Sequence, residues 1–309
     1  MYDLFVSNVI SAIEEKLGSS YKVKFEKVIK NNNVSYDAFT IICNDRKNNI
    51  SPAIPANSFY RDFCSGIGID DIVSKIIDMY QSNKNINIDI SVLYDLDWVK
   101  QRICYKLINT LENEELLKTV PNRKFYDLSI VYYLHFDNFE DSVASMIIKN
   151  NYLSMWNITE DKLYEYAKEN TRRLFPESIF SLLNHLQAIL PENIFIEDDT
   201  QLNPGAGLND FDDIMYVASN KQQSNGAGVI LYPNILKEFA TIKNCNFWLI
   251  PSSIHEWIFV LDKDNKGMDN EYDRFKDMIN EVNYTQLDKM EILNNHPYYY
   301  DMHTQTILM

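Results

Sequence analysis

The segment YKVKFEKVIKNNNVSYDAFTIIC, residues 21–43, indicates most clearly how this chain folds. In its first part, YKVKFEKVIK, apolar or aromatic residues alternate with charged ones, and this period of two is typical of a strand with one buried face. A second run, VSYDAFTIIC, follows the turn at residues 31–33, which consists of asparagine alone. Two strand-forming runs around such a turn predict an antiparallel hairpin.

Further hairpins and amphipathic helices are predicted on both sides of residue 150. The runs YDLSIVYYLHF (126–136) and DSVASMIIKN (141–150) form one hairpin, and NFWLIPS (246–252) with HEWIFVLD (255–262) supplies further strands. Helices with one apolar face alternate with these strands. The pattern predicts an α+β fold of two mixed halves, residues 1–149 and 150–309, each with antiparallel hairpins packed against amphipathic helices.

Three more elements are predicted from shorter patterns. A helix is expected over residues 97–118, and a second one begins at Pro176, where a missing N–H is tolerated in the first helical turn. The run GVILYP, residues 228–233, is rich in apolar and β-branched residues and predicts a strand.

Composition excludes several classes of protein. The 309 residues include 29 basic and 44 acidic side chains, a net charge of −15, so we expect no direct binding of nucleic acid. The four cysteines form no CxxC pair, which indicates a reducing cytoplasm and neither a zinc site nor a disulfide framework. We expect no cofactor. No secretory signal is recognisable, and no apolar run reaches the roughly 18 residues that a membrane span requires.

The acidic residues are concentrated after residue 150, above all from Glu192 to Asp213, where the chain has no Lys or Arg. Carboxylates without local cations repel one another, and a basic partner surface relieves that repulsion. A metal ion would relieve it too, but the carboxylates lack a ligand-like spacing, so we predict a basic protein partner. The alternative is that the negative charge only keeps the protein soluble. The predicted binding residues are Glu197, Asp198, Asp199, Asp210, Asp212 and Asp213.

The run Ser252–Glu256, SSIHE, is the strongest candidate for catalysis because it holds a serine, a histidine and a carboxylate. It is not a zinc HExxH motif, since the fourth residue after His255 is Phe259. Its apolar neighbours favour a strand, on which Ser253 and His255 share one face near a cleft. The alternative is a strand whose polar residues serve packing alone.

Two further sets of residues suggest ion binding. Asp262 and Asp264 precede Gly267 as in a calcium loop, but Lys266 stands where an oxygen ligand is needed, and a polar turn explains the pattern equally well. Arg123, Arg172 and Arg173 form an anion pocket if the fold brings them together, as a ligand sensor requires. His296 lies in a tyrosine-rich tail, without a third residue that would complete a metal site with His303.

Four segments resemble the landmarks of a family of bacterial proteins known only as a domain of unknown function: VPNRKFYDLSIVYYL (120–134), GAGVILYPNILKEFA (226–240), FWLIPSSIHEWIFVL (247–261) and MINEVNYT (278–285). Members of that family come mainly from low-GC gut bacteria and their mobile elements. The resemblance implies a cytoplasmic protein, borne by a bacterium or a phage. It implies no catalytic residue and no ligand.

Two hypotheses about function follow. The first is a non-enzymatic cytoplasmic interaction protein with an acidic docking surface, which inhibits or regulates a basic nucleic-acid-handling partner in bacterial defence or counter-defence. The alternative is a hydrolase that uses His255 with Ser253 or with a distant carboxylate.

Overall fold

The structure, a computed structural model, describes residues 1–44, 51–82, 90–139, 142–182, 214–264, 266–268 and 271–309. Within these residues the fold is α+β, as the sequence predicts, and its strands form three antiparallel sheets. None of the helices in these ranges combines the length and the apolar character that crossing a bilayer requires.

The first sheet is built on the predicted hairpin. Residues Tyr21 to Ile29 pair with Cys43 to Ser35, and a short third strand adds to the second. Three helices pack against it around a separate apolar cluster, which contains Phe5, Phe39 and Ile72. The elements are α1 (Tyr2–Leu17), β1 (Tyr21–Ile29), β2 (Ser35–Cys43), β3 (Ala53–Pro55), α2 (Ala56–Cys64) and α3 (Ile69–Ser82).

The second sheet surrounds one long strand, β6. This strand pairs with β4 along one edge and with β5 and then β7 along the other, and the predicted hairpin of residues 126–150 is confirmed as β6 and β7. The elements of this region are α4 (Leu96–Val99), β4 (Ile103–Asn109), α5 (Glu114–Leu117), β5 (Asn122–Phe125), β6 (Leu128–Phe139), β7 (Ser142–Ile147), α6 (Asn150–Trp156) and α7 (Glu160–Leu174).

The third sheet has the strand order β13-β12-β10-β11-β9-β8. One of its faces packs into the main core beside α8, through Phe239, Phe247 and Phe259. The other face packs against α9, through Trp248 and Phe275. The elements are β8 (Glu177–Ser181), β9 (Met215–Asn220), α8 (Ile235–Lys243), β10 (Asn246–Ser253), β11 (Glu256–Asp262), α9 (Tyr272–Thr285), β12 (Tyr298–Asp301) and β13 (Thr306–Leu308).

The helix predicted over residues 97–118 is wrong. Most of this stretch is the strand β4 or short turns, and only α4, α5 and a 3-10 turn at Leu111–Asn113 are helical. Side chains on both faces of β4 are buried, among them Ile103, Cys104 and Tyr105, because α7 packs on the strand. A strand buried on both faces has a continuous apolar run without alternation, and periodicity does not distinguish it from a buried helix.

Two other predicted elements are also corrected. Residues Glu177 to Ser181 form β8 instead of the start of a helix, because they pair with β9. The run Gly226–Leu231 is a 3-10 helix instead of a strand, and residues Gly226 to Ile230 are buried in it. Strand pairing and tertiary packing determine the secondary structure of both segments, because the local preference for strand or helix is weak over so few residues.

The largest apolar cluster contains residues from both sides of residue 150. Leu107 and Tyr132 precede that position, Trp156 and Phe259 follow it, and all four belong to one cluster. The predicted division at residue 150 means that the two halves fold independently, and this stays a prediction.

Candidate functional site

The tip of the β1–β2 hairpin joins the first sheet to the rest of the molecule. Asn32 is 1% exposed and has a left-handed backbone, with φ of 55°. Its Nδ2 donates to the carbonyl oxygens of Lys289 and Ile292, both at 2.7 Å. Its backbone N–H donates to Oδ1 of Asn113 at 2.7 Å, and its side-chain Oδ1 accepts from Nδ2 of Asn113 at 2.8 Å. Four hydrogen bonds to distant residues therefore fix this single asparagine.

A second polar group lies close by, around Asp127. The two-residue turn between β5 and β6 places this carboxylate, and Tyr126 in the same turn has a φ of 55°, which is unusual for a bulky residue. Oδ2 of Asp127 accepts from His296 Nε2 at 2.7 Å and from Asn294 Nδ2 at 2.8 Å. Oδ1 accepts from the Tyr298 hydroxyl at 2.6 Å.

The environment shifts the pKa values of this group in opposite directions. Burial raises the pKa of Asp127, but hydrogen bonds from His296, Tyr298 and Asn294 outweigh it and hold the pKa well below its usual value. Burial lowers the pKa of His296, but the hydrogen bond to Asp127 and the carbonyl of Pro297 raise it above 6.5 overall. Burial, with the hydrogen bond to Asp127, raises the pKa of Tyr298.

Both ring nitrogens of His296 are engaged by neighbouring groups. Its Nε2 faces the carboxylate of Asp127, and its Nδ1 lies 3.0 Å from the carbonyl oxygen of Pro297. Both of these oxygens are acceptors, which favours protons on both ring nitrogens, and Nδ2 of Asn294 lies 3.3 Å from the same Nε2. A histidine with both nitrogens engaged in this way positions its neighbours and has no free nitrogen with which to accept a proton from a substrate.

We call the cavity beside these two groups the junction cleft; its volume is about 930 Å³. Part of its lining comes from the last two turns of α9, through Asn280, Asn283 and Tyr284. Another part comes from the end of β4 and the turn after it, through Asn109 and Leu111. The other polar lining residues are Asn32, Glu112, Asp127, Lys289, Asn294, Asn295 and His296. The cleft is thus lined by the tip of the first hairpin, by the end of β4 and the turns near it, and by α9 with the segment that precedes β12.

Ser253 and His255 do not lie on one regular strand, and this prediction is corrected. Residues Ile254 and His255 form the turn between β10 and β11. The Ser253 hydroxyl oxygen accepts the backbone N–H of His255 at 3.0 Å, and this bond closes the turn. A short polar loop between two strands satisfies its own backbone in this manner.

The His255 ring supports a neighbouring segment. Its Nδ1 accepts the backbone N–H of Asn225 at 3.0 Å, just before the 3-10 helix, and its Nε2 lies 3.9 Å from Glu291 Oε1. Among the described residues no hydrogen bond joins this ring to the Ser253 hydroxyl. The nearest carboxylate on the same strand, Glu256, accepts instead from Ser252 at 3.1 Å.

The three arginines of the predicted anion pocket do not converge. Arg123 forms a bidentate ion pair with Glu160 at the N-terminal end of α7, at 3.2 and 2.8 Å. Arg172 lies in the last turn of the same helix and pairs with Glu177 at 2.6 Å. Arg173 donates to a backbone carbonyl oxygen at 2.7 Å. Each guanidinium therefore already has an acceptor, and the helix separates the first from the other two.

The predicted calcium loop is closed by its own first residue. The carboxylate of Asp262 accepts the backbone N–H groups of Lys266 and Gly267, both at 3.0 Å, and the Tyr299 hydroxyl at 2.7 Å. Asp264 pairs with Lys266 at 2.8 Å. In the part of the chain that the structure describes, no group of three or more His, Cys, Asp or Glu side chains is arranged to hold a metal ion.

The predicted acidic binding residues, from Glu197 to Asp213, lie outside the described residues. Sequence reasoning missed the junction cleft. The available signal was the abundance of asparagine at short polar turns, as in residues 31–33 and 294–295, because asparagine both tolerates left-handed backbone and bonds to main-chain groups.

Comparison with known proteins agrees with the resemblance of the four segments. No curated protein and no solved structure matches the chain. The model of a protein family described as "Family of unknown function (DUF5688)" matches residues 2–302. The match includes every residue of the junction cleft. The chain belongs to this family of unknown function.

Proposed function

We propose that this protein is a non-enzymatic binding protein that takes up a polar ligand in the junction cleft. The observation that carries the proposal is the cleft itself, about 930 Å³ in volume and lined by side chains from separate parts of the fold. Ligand sites occur preferentially where structural units meet, and most have volumes of 300–1,000 Å³.

The ionisable groups of the cleft support binding over catalysis. The carboxylate of Asp127 already accepts three hydrogen bonds, and both ring nitrogens of His296 lie within hydrogen-bond distance of an oxygen atom. These groups are engaged before any ligand arrives, so they hold the wall of the cleft in one shape. Preorganised walls lower the entropy cost of binding.

A blocking substitution tests this proposal. Asn280→Trp places a large ring on the cleft side of α9, whereas Glu281→Trp places the same ring at an exposed position on that helix which lines none of the described cavities. Native mass spectrometry of both variants and the wild-type protein against a metabolite library measures the retained ligands. A ligand retained by the wild type and Glu281→Trp but lost in Asn280→Trp supports the proposal. Equal retention by all three proteins contradicts it.

A second candidate function rests on the charge of the chain. The net charge of −15, with an acidic stretch from Glu192 to Asp213 that contains no cation, favours a basic protein partner. In this proposal the protein is a bacterial cytoplasmic inhibitor or regulator of a nucleic-acid-handling protein in defence or counter-defence, carried by gut bacteria and their mobile elements. The two functions are compatible, because the cleft and the acidic stretch involve different residues.

The hydrolase hypothesis has less support from geometry. Ser253 is 7% exposed and its hydroxyl accepts a backbone N–H group, while the ring of His255 faces Asn225 and Glu291. A serine nucleophile needs a base within hydrogen-bond reach of its hydroxyl. For this reason we propose binding as the function of the fold.

A further inference from the structure

We propose that the ligand of the junction cleft is an uncharged carbohydrate ring, bound through its hydroxyl groups and through one apolar face. This inference rests on the proposed function and names its ligand class. It follows from three properties of the cleft: the balance of its charges, the hydrogen-bonding groups left open on α9, and an exposed aromatic ring beside them.

The charges of the described lining cancel. Asp127 lies 2.7 Å from His296, whose pKa is raised, and Glu112 lies 4.0 Å from Lys289. These four are the ionisable acidic and basic groups among the described lining residues. An anionic or cationic ligand would meet no unpaired charge of opposite sign. An uncharged ligand requires no such unpaired charge in the cleft.

The amides of α9 present acceptors to the cleft. Nδ2 of Asn280 donates to the carbonyl oxygen of Lys276 at 2.8 Å, and Nδ2 of Asn283 donates to that of Asn294 at 2.9 Å. A carbonyl oxygen only accepts, so these contacts identify which side-chain atom is nitrogen. The Oδ1 atoms of both residues have no partner within the described chain. They are acceptors left open to the donors of a ligand.

The two acceptors are spaced for a ring with several hydroxyl groups. Residues three apart on a helix are neighbours, with Cβ atoms about 5–6 Å apart. A sugar ring has a hydroxyl on nearly every carbon, and each hydroxyl both donates and accepts. The exposed side chain of Asn295, which makes no hydrogen bond within the described chain, adds a donor and an acceptor to the same cleft.

An aromatic ring completes the site. Tyr284 directly follows Asn283 on α9, lines the cleft and is 92% exposed. Leu111 lines the cleft as well and is 74% exposed. Exposed aromatic and aliphatic side chains beside polar groups suit a ligand that is apolar on one face and polar at its edge. A pyranose has this character, since its C–H groups form a face and its hydroxyls project around the ring.

Saturation-transfer NMR and calorimetry on the full-length protein test the inference. The probes are neutral methyl glycosides and disaccharides, glucuronic acid and glucosamine as charged sugars, and adenosine and uridine as ribonucleosides. We expect neutral sugars to bind. Tyr284→Ala should weaken binding about tenfold and Asn280→Ala about fivefold, because a stacked ring contributes about 1.4 kcal/mol and one hydrogen bond about 1 kcal/mol.

Matched variants separate the roles of the residues. Tyr284→Phe keeps the ring face and should bind within about threefold of the wild type. Tyr94→Ala removes another exposed tyrosine, 72% exposed and outside the described cavities, and should leave binding unchanged. Equal loss in Tyr284→Phe and Tyr284→Ala would contradict stacking and overturn the inference.

The outcomes also separate this inference from the proposed function. If only charged sugars or ribonucleosides bind, and Asn280→Trp abolishes that binding, the carbohydrate inference is wrong and the binding function stands. If the neutral sugars do not bind and the metabolite library yields no ligand sensitive to Asn280→Trp, both are wrong.

Discussion

Asp127 and His296 are 169 residues apart in the chain, yet the Oδ2 and Nε2 atoms of their side chains lie 2.7 Å from each other. The pair ties the β5–β6 turn to the segment that precedes β12. It also orients Asn294 and Tyr298, which bond to the same carboxylate. The ion pair therefore fixes the polar wall of the junction cleft.

The stability that this pair confers should depend on pH. The pKa of His296 is raised above 6.5, so its contribution is complete below about pH 6.5 and is lost as the pH rises through the raised value. The pKa of Asp127 is lowered below 3.8, so its contribution is complete above about pH 3.8 and is lost on further acidification. Both contributions are complete between these limits.

The variant His296→Gln measures this effect. Compared with the wild type, its free energy of unfolding should be lower by about 1–2 kcal/mol near pH 5–6, with a smaller difference above pH 8. Urea denaturation at a series of pH values provides the comparison. His303→Gln is the control, because that side chain is exposed and makes no hydrogen bond within the described residues. A difference for His296→Gln that is constant with pH would contradict the ion pair.

Gly226 is required by the close approach of two backbone segments. A Cβ atom at this position would overlap the Ser219 hydroxyl and the carbonyl oxygen of His255, and would lie 2.9 Å from the backbone nitrogen of Asn220. Gly226→Ala should lower the free energy of unfolding by about 3 kcal/mol, since backbone atoms must move to admit the methyl group. Thermal denaturation measures the loss. The control is Gly68→Ala, whose Cβ would meet only Asp71 Oδ2 at 3.8 Å; comparable stability of the two variants would show that the contact is relieved at little cost.

Asn32 should contribute more to stability than its neighbour in the same turn. Asn32→Ala removes the side-chain donor to two carbonyl oxygens and leaves buried polar groups unpaired, so we expect a loss of about 2–4 kcal/mol. Asn33→Ala is the matched control, because Asn33 has a similar φ of 53° but an exposed side chain. Its loss should be about 1 kcal/mol, from the left-handed backbone alone. Similar losses for the two variants in urea denaturation would mean that the buried side-chain amide of Asn32 adds nothing to the free energy of unfolding.

The position of a folding boundary is open to a direct measurement. Trp257 belongs to the largest apolar cluster and Trp98 packs against it, although they lie on opposite sides of residue 150. We expect proteins that retain only one of these tryptophans to show the same midpoint in urea, because a shared cluster unfolds cooperatively. Two separate midpoints would support independent halves that divide near residue 150.

The acidic stretch should accelerate association with a basic partner. A variant that neutralises four of these carboxylates should associate more slowly, and its association rate should depend less on salt; the changes are to Asn at Asp198, Asp199, Asp212 and Asp213. The reason is that charge steers encounters over a Debye length of about 8 Å at physiological ionic strength. The partner is first isolated at low and moderate salt, and stopped-flow mixing then measures the association rate. An unchanged rate at both salt concentrations would leave these carboxylates as a solubility feature.

Local pattern predicted the elements whose two faces differ. The alternation in residues 21–30 follows from burial on one side only, and the hairpin that it predicts is confirmed. The local pattern wrongly indicated a helix in two places. In β4 both faces of the strand are buried, and in β8 pairing with a neighbouring strand determines the secondary structure. A short window of sequence does not include the distant segment that pairs with a strand or covers its second face.

The sequence by itself determined the α+β class, the membership of a family and the charge of the chain, because each depends on composition or on residues close together in the chain. Only the tertiary structure decided that Asn32, Asp127, Asn294 and His296 form one polar site, and that Ser253 closes a turn instead of pairing with the His255 ring. The reason is physical. A hydrogen bond between residues more than a hundred positions apart depends on the packing of whole sheets and leaves no periodic signal along the chain.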